Sequence, residues 1–235
     1  MSDILNFIIS FILVNVFTFI ANTLADKKIV TPSTSRKMVH ISLGVCQMLL
    51  WPLYSEDSFA RLWGSMCCII YLFIFLIFGL EIIKGPFLAF LIKTVCREGK
   101  AKEMLYGPFN YCCIMNFMSL LFWKNSPYPI IGLMIMLTGD GMAEIVGKNL
   151  GKHHLVNPWG SKKTLEGSMG IAVFGALGAM IMCYLNFGSV CFLPCVIGGI
   201  VGAVTEFYAY PNYDNVFIPL VVAGVDYALH VFGLF

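Results

Sequence analysis

The sequence predicts an all-α fold, a polytopic integral membrane helix bundle of about seven to eight transmembrane helices. Three observations predict it. The chain of 235 residues is 59% hydrophobic. Only 12% of its residues are charged, against about a quarter in a soluble domain. Mean hydropathy is +0.83, and the apolar residues gather into runs close to the roughly 20 residues that a spanning helix needs.

The runs follow one another at 4–24, 38–54, 62–80, 104–123, 128–146, 168–187 and 189–208, with an eighth at 216–235. In the first, Asn15 and Asn22 interrupt the apolar pattern and read as packing contacts between helices. The second is the shortest and ends at Trp51-Pro52-Leu53-Tyr54, where aromatics suit a membrane interface. Pro86 to Val95 is too short to span. With Lys93 and Arg97 to one side, it reads as an interfacial amphipathic helix. The last run carries Asp226 and His230 on one face, the spacing of an interhelical hydrogen-bonded pair. No Pro/Gly/Ser-rich linker and no repeat divides the chain, so residues 1–235 read as a single domain. The nine cysteines lie mostly inside apolar runs, without CxxC spacing, and are expected to be reduced thiols rather than disulfides or zinc ligands. The first run has no basic n-region and is longer than a signal peptide's core, and no Arg- and Ser-rich transit segment stands at the start. The expectation is therefore an integral membrane protein of the endoplasmic reticulum or a bacterial plasma membrane rather than a plastid.

Sidedness comes from lysine and arginine. Lys27, Lys28, Arg36 and Lys37 precede run two. Lys84, Lys93, Arg97, Lys100 and Lys102 follow run three, and Lys148, Lys152, Lys162 and Lys163 follow run five. These are 13 of the 15 basic residues; only Arg61 and Lys124 fall in the intervening loops. The basic loops are placed in the cytosol and the N-terminus on the non-cytosolic side. A net charge of +2 and the lack of a basic run with interleaved aromatics exclude a nucleic-acid partner. Oligomeric state leaves no trace in the sequence.

Polar chemistry concentrates in three stretches on the basic side: "RKMVH" (36–40), "TGDGMAEIVGKNLGKHHLVNPWGSKKTLEGS" (138–168) and "TEFYAYPNYDN" (205–215). Asp140, Glu144 and Lys148 recur every four residues and so share a helix face. Counted from Tyr128, Asp140 lies about 18 Å along its helix, inside the hydrocarbon layer, where ionisable groups are costly and mark binding or transport sites. A structural Asp140–Lys148 network closing the helix end is the other reading. Gly139 and Gly141 would alternatively break the helix and let backbone approach a ligand. Carboxylates with substrate phosphates hold Mg²⁺, and lysines pair with phosphate oxygens, so a nucleoside triphosphate with magnesium satisfies both residue types. Neither GxxxxGK[ST] nor GxGxxG is present, so such a site belongs to another design. A transporter would spread polar groups along a path through the bilayer, often in inverted repeats; here they gather on one face.

"RKMVHISLG", "GDGMAEIVGKNLGK" and "KKTLEGS" resemble the CTP-dependent lipid-alcohol kinases, the phytol and farnesol kinases with dolichol kinase and yeast-type diacylglycerol kinase as relatives. The resemblance covers about residues 30–50 and 100–220. It implies transfer of the CTP γ-phosphate to a prenyl or other lipid alcohol, with a divalent metal, in contact with membrane lipids. Phosphatidate cytidylyltransferases are more distantly similar and supply the alternative reaction. Their Lys-Asp-rich closing signature cannot be present, because no lysine or arginine follows Lys163. The resemblance implies Asp140 and Glu144 as catalytic residues and metal ligands, Asp140 either as ligand or as base toward the lipid hydroxyl, with Asp214 as a third ligand. Glu206 is read either as a further ligand or as a simple interfacial acid. It implies a CTP-binding set of Lys148, Lys152, Lys162, Lys163, Thr164, Glu166 and Gly167, Glu166 orienting a lysine or taking metal. Some of the lysines would alternatively face anionic headgroups. Arg36, Lys37 and His40 form a second basic element, for phosphate or as snorkelling anchors. His153 and His154 read as loop residues.

Overall fold

The computed structural model describes residues 2–234. The chain forms two compact units, Met1–Leu121 and Phe122–Phe235, each of them helical.

In the first unit, α1 (Asp3–Asp26), α2 (Pro32–Met48), α3 (Ala60–Gly79), the short α4 (Pro86–Val95) and α5 (Gly107–Phe122) succeed one another. Ser2 caps α1, accepting from the Leu5 N–H at 3.4 Å. Thr31 caps α2, with Pro32 in the first turn, where its missing N–H costs nothing. α1 packs on α2 and α3 and is inverted relative to a soluble helix. Asn6, Ser10 and Asn22 are buried, while Ile4, Leu5, Ile8, Ile12, Val16 and Phe19 face outward. That arrangement is stable only where the surroundings are apolar. The buried Asn22 Nδ2 donates to Thr94 Oγ1 at 3.0 Å, and the exposed Asn15 Oδ1 accepts from Tyr71 Oη on α3 at 3.1 Å, so both amides are contacts between helices. α4 has the bounds expected of the short amphipathic helix and turns Leu88 and Leu91 inward. After it, Glu103 accepts from the backbone N–H groups of Arg97, Glu98 and Lys100 at 2.7–3.1 Å, tying the basic loop into a compact turn.

In the second unit, α6 (Pro127–Met134), a π-helical turn (Ile135–Asp140) and α7 (Gly141–Leu150) form one continuous rod. A small antiparallel hairpin follows, β1 (His154–Val156) with β2 (Lys162–Thr164), His154 opposite Thr164. α8 (Leu165–Phe187), α9 (Phe192–Tyr208) and α10 (Asp214–Val231) complete it. Glycines set the helix spacing. A Cβ on Gly139 would stand 2.9 Å from the Ile171 carbonyl oxygen, one on Gly199 2.5 Å from that of Ala172, and one on Gly132 2.5 Å from that of Pro219. Such small-residue contacts are how helices pack where water supplies no hydrophobic drive.

Five helices among the described residues are long and apolar enough to cross a membrane: α1, α3, the α6–α7 rod, α8 and α10. The expected seven to eight reduce to these by length. α2 and α9 have 17 residues and α5 has 16, roughly 25 Å at 1.5 Å per residue against a hydrocarbon layer of about 30 Å. The run expected at 38–54 begins instead at Pro32 with a polar first turn, "PSTSRK", and stops at Met48. All nine cysteines are free thiols.

Candidate functional site

The π turn is where the sequence first departs from a plain helix. Thr138 Oγ1 lies 2.7 Å from the Met134 carbonyl and 3.0 Å from the Phe174 carbonyl on α8, so its hydroxyl competes with the backbone ladder. Gly139 lets α8 approach at that level. The ladder widens by one residue, and Asp140 closes the turn, only 4% exposed. Gly139 and Gly141 thus widen the helix rather than breaking it. π turns of this kind recur at functional sites.

One turn on, Glu144 pairs with Lys148 at 2.5 Å. α7 and α8 touch through Gly147, Gly167 and Thr164, and Thr164 Oγ1 accepts from the Gly167 N–H at 3.1 Å as the cap of α8. This contact brings "GDGMAEIVGK" and "KKTLEGS" together. Lys163 on β2 forms an ion pair with Glu206 on α9, whose residue is only 5% exposed. Asp140 and Asp214 both lie within Coulombic range of Glu206. Asp140, Glu206 and Asp214, from three different helices, therefore share one neighbourhood, with Lys163 reaching into it. Lys152, between α7 and β1, and Lys162 on β2 are exposed.

Asp214 opens α10, its Oδ1 accepting from the Asn215 N–H at 3.1 Å. The spacing D-N-x-x-x-P acquires a physical meaning here. Pro219, four residues after Asn215, has no N–H to give the Asn215 carbonyl. Asn215 is buried and its side-chain oxygen has no hydrogen-bond partner. Asn215 closes the polar stretch "TEFYAYPNYDN", and the proline four residues on is the signal in the sequence that marks it. Glu206 is buried and paired with Lys163 rather than exposed at the end of α9.

Glu166 accepts at 2.7 Å from His153 Nδ1 and at 3.3 Å from the His153 backbone N–H, and His153 lies exposed in the bend before β1. One expectation is corrected. Asp226 and His230 do not form a hydrogen-bonded pair. Neither Asp226 oxygen has a hydrogen-bond partner among the described residues, and the His230 ring lies against Tyr128 at 5.6 Å.

Arg36, Lys37 and His40 belong to the first unit, on α2. Lys37 is buried; the His40 ring packs edge-on to Tyr111 at 4.8 Å, and Tyr111 Oη donates to the His40 carbonyl at 2.9 Å.

No group of three or more His, Cys, Asp or Glu among the described residues stands close enough to hold a metal by itself. The carboxylates present fit instead the way Mg²⁺ is usually held, by one or two acids with substrate phosphates supplying the rest.

Fold and site together define a membrane-embedded helical protein with buried carboxylates and lysines gathered at one end of a glycine-packed bundle. No family model matches the chain, and no solved structure gives a significant match. A probable chloroplastic phytol kinase of Zea mays is 37% identical over 164 residues, 69% of this chain and 52% of the relative. One from Triticum aestivum is 35% identical over 167 residues, 71% and 54%; phytol kinase 1 of Arabidopsis thaliana is 33% identical over 162 residues, 69% and 52%. The chain belongs to the family of the phytol and prenyl-alcohol kinases, and it spans about half the length of the curated relatives it matches. All three relatives are named chloroplastic, which overturns the expectation favouring the endoplasmic reticulum or a bacterial membrane over a plastid. That expectation rested on the composition of the first residues alone.

Proposed function

We propose that the chain is a membrane kinase that transfers the γ-phosphate of CTP to a prenyl or similar lipid alcohol of the phytol class. The observation that carries this reading is the neighbourhood of the buried Asp140 and Glu206 with the half-buried Asp214, and Lys163 paired into it. Carboxylates and lysines brought together at a membrane helix end suit a magnesium nucleotide better than either residue type alone would.

In this reading Asp140 and Asp214 hold Mg²⁺ together with phosphate oxygens, and Glu144 is the further acid one turn along. The bound metal would supply charge neutralisation on the triphosphate. Lys148, Lys152, Lys162 and Lys163 bind and orient the triphosphate, and Thr164 and Gly167 keep α7 and α8 close enough to present them. Arg36, Lys37 and His40 supply a second basic element for phosphate. The lipid hydroxyl oxygen forms its bond to the γ-phosphorus as the bond to the β-phosphate oxygen breaks, CDP leaves, and the hydroxyl proton passes to a carboxylate, which is Asp140 if it serves as base in place of metal ligand. Phosphoryl transfer asks mainly for such positioning and charge stabilisation. The apolar outer faces of the bundle admit a long-chain alcohol from the bilayer.

The test is incubation of the purified chain with γ-labelled CTP and phytol, farnesol, dolichol or diacylglycerol. Label in a lipid phosphate is the expected result and names the acceptor. Label released only in pyrophosphate, with cytidine joined to lipid, would mean cytidylyl transfer instead. ATP serving as well as CTP at matched magnesium would remove the choice of nucleotide.

A further inference from the structure

Beside the carboxylates lies a group of exposed aromatic rings that the phosphate chemistry leaves unused. Trp159, in the turn of the hairpin, is 51% exposed, and Tyr210, after α9, is 54% exposed. Their rings meet edge to face at 4.9 Å, and Tyr213 lies 6.1 Å beyond Tyr210.

Two preorganised turns hold these rings. Around Trp159, the Asn157 side-chain oxygen accepts from the N–H groups of Trp159 and Ser161 at 3.1 and 2.8 Å, and the Asn157 N–H donates to the Ser161 carbonyl at 3.0 Å. Gly160 takes the left-handed φ of 79° that closes the turn. Around Tyr210, Pro211 is followed by Asn212 at φ 69°, and the Tyr213 N–H returns to the Tyr210 carbonyl at 3.0 Å. That is a type II turn, its proline and asparagine at the positions that favour them. The two turns are linked, because the Trp159 indole N–H donates to the Tyr208 carbonyl at 3.0 Å. A ring that merely marks the membrane boundary needs no such fixing, since its amphipathic character suffices. A ring that must meet a planar ligand does.

The chain order places phosphate chemistry next to both turns. Lys163, four residues after Trp159, pairs with Glu206, two residues before Tyr208, and Asp214 directly follows Tyr213. We propose that Trp159 and Tyr210 form the stacking platform for the nucleobase of the phosphate donor, a proposal that rests on the nucleotide reading above. The indole N–H is already spent on Tyr208, so this platform offers π faces rather than hydrogen bonds and holds any base without reading it.

The experiment measures binding of magnesium CTP, magnesium ATP and magnesium tripolyphosphate to the full chain in lipid nanodiscs, for the wild type, W159A, W159F and Y210A. Base stacking on an aromatic is worth about tenfold in affinity. W159A and Y210A are expected to weaken CTP and ATP alike by about that factor and to leave tripolyphosphate, which has no ring, unchanged. W159F, which keeps a face but loses the bond to Tyr208, should weaken CTP less than W159A does and leave tripolyphosphate unchanged. Unchanged CTP binding in both alanine variants would overturn the platform and assign the rings to the membrane interface. Equal loss of CTP and tripolyphosphate would overturn it in favour of a structural tether. A wild type that binds tripolyphosphate as tightly as CTP also overturns the platform alone. A wild type that binds none of the three removes the nucleotide reading and the platform with it.

Discussion

Asp140 and Asp226 are both buried acids in membrane helices, and they make opposite predictions. Asp140 shares its surroundings with Glu206, Asp214 and Lys163, so Asp140→Asn removes charge that a metal ligand or base requires while keeping shape. Lipid phosphorylation is expected to fall by more than about a hundredfold, with the protein still folded and with less thermal stabilisation by CTP and magnesium. Near-normal turnover would dismiss Asp140 from the chemistry. Asp226 is 0% exposed with both oxygens unpartnered, a cost of about 1–3 kcal/mol in a protein interior. Asp226→Asn should therefore keep activity and hold or raise the melting temperature; a clear loss of either would show that Asp226 works in the native protein. What could be read of these residues in advance was local. The four-residue spacing put Glu144 and Lys148 on one face, as found. The Lys163–Glu206 pair joins residues 43 positions apart, and only the fold can choose between Glu206 and the other acids as the lysine's partner.

At the scale of elements, the glycine contacts between helices are specific enough to test. At Gly199 an added Cβ meets the Ala172 backbone carbonyl, which has no rotamer to move, whereas nothing lies within 4 Å of the same atom at Gly224 on α10. Gly199→Ala should lower the melting temperature in detergent and reduce activity. Gly224→Ala should raise stability by up to about 1 kcal/mol, the ordinary gain of alanine over glycine in a helix. If the two variants behave alike, close packing of α8 and α9 is not what glycine provides. The turn after α4 gives a pH test. Burial pushes the Glu103 carboxyl up, but the backbone N–H groups of Lys100, Glu98 and Arg97 outweigh it and hold it below its usual range. With the folded-state value depressed, its contribution is present above about pH 4.3, the unfolded value, and is lost as pH falls through the lower folded-state value. Limited proteolysis between 97 and 100 should thus be slow at neutral pH, faster in E103Q, and no longer different between the two at strongly acid pH. A difference that persists there would mean the carboxylate charge is not what closes the turn. The helices themselves were legible from hydropathy because lipid-facing residues need only be apolar. Their lengths were not, since α2 ends where Gln47 and Met48 are buried by packing.

For the molecule as a whole, the outward apolar faces of α1 and its inward amides predict an integral protein. The chain should remain in the membrane pellet after alkaline carbonate and leave it only with detergent; release by carbonate would contradict the five candidate spans. Hydropathy, basic loops and the three polar stretches made the class and one end of the site readable, because each depends on composition over a window. The hairpin, the Trp159–Tyr208 bond and the widened turn at 135–140 depend on distant backbone meeting at close range, and no window of sequence contains both partners. The widened turn has a further consequence for the rod that carries it. A π turn is what an α-helix becomes when one extra residue is taken in without lengthening the rod by a full step. It acts as a phase shift of about 100°, one residue's rotation. Everything from Gly141 to Leu150 is set at an azimuth that the first half of the rod would not have given it. A lineage that dropped a single residue between 135 and 140 would keep a smooth, membrane-length helix and lose the aim of Glu144 and Lys148 in one step, so an alignment gap there would separate relatives that retain this site from those that have abandoned it.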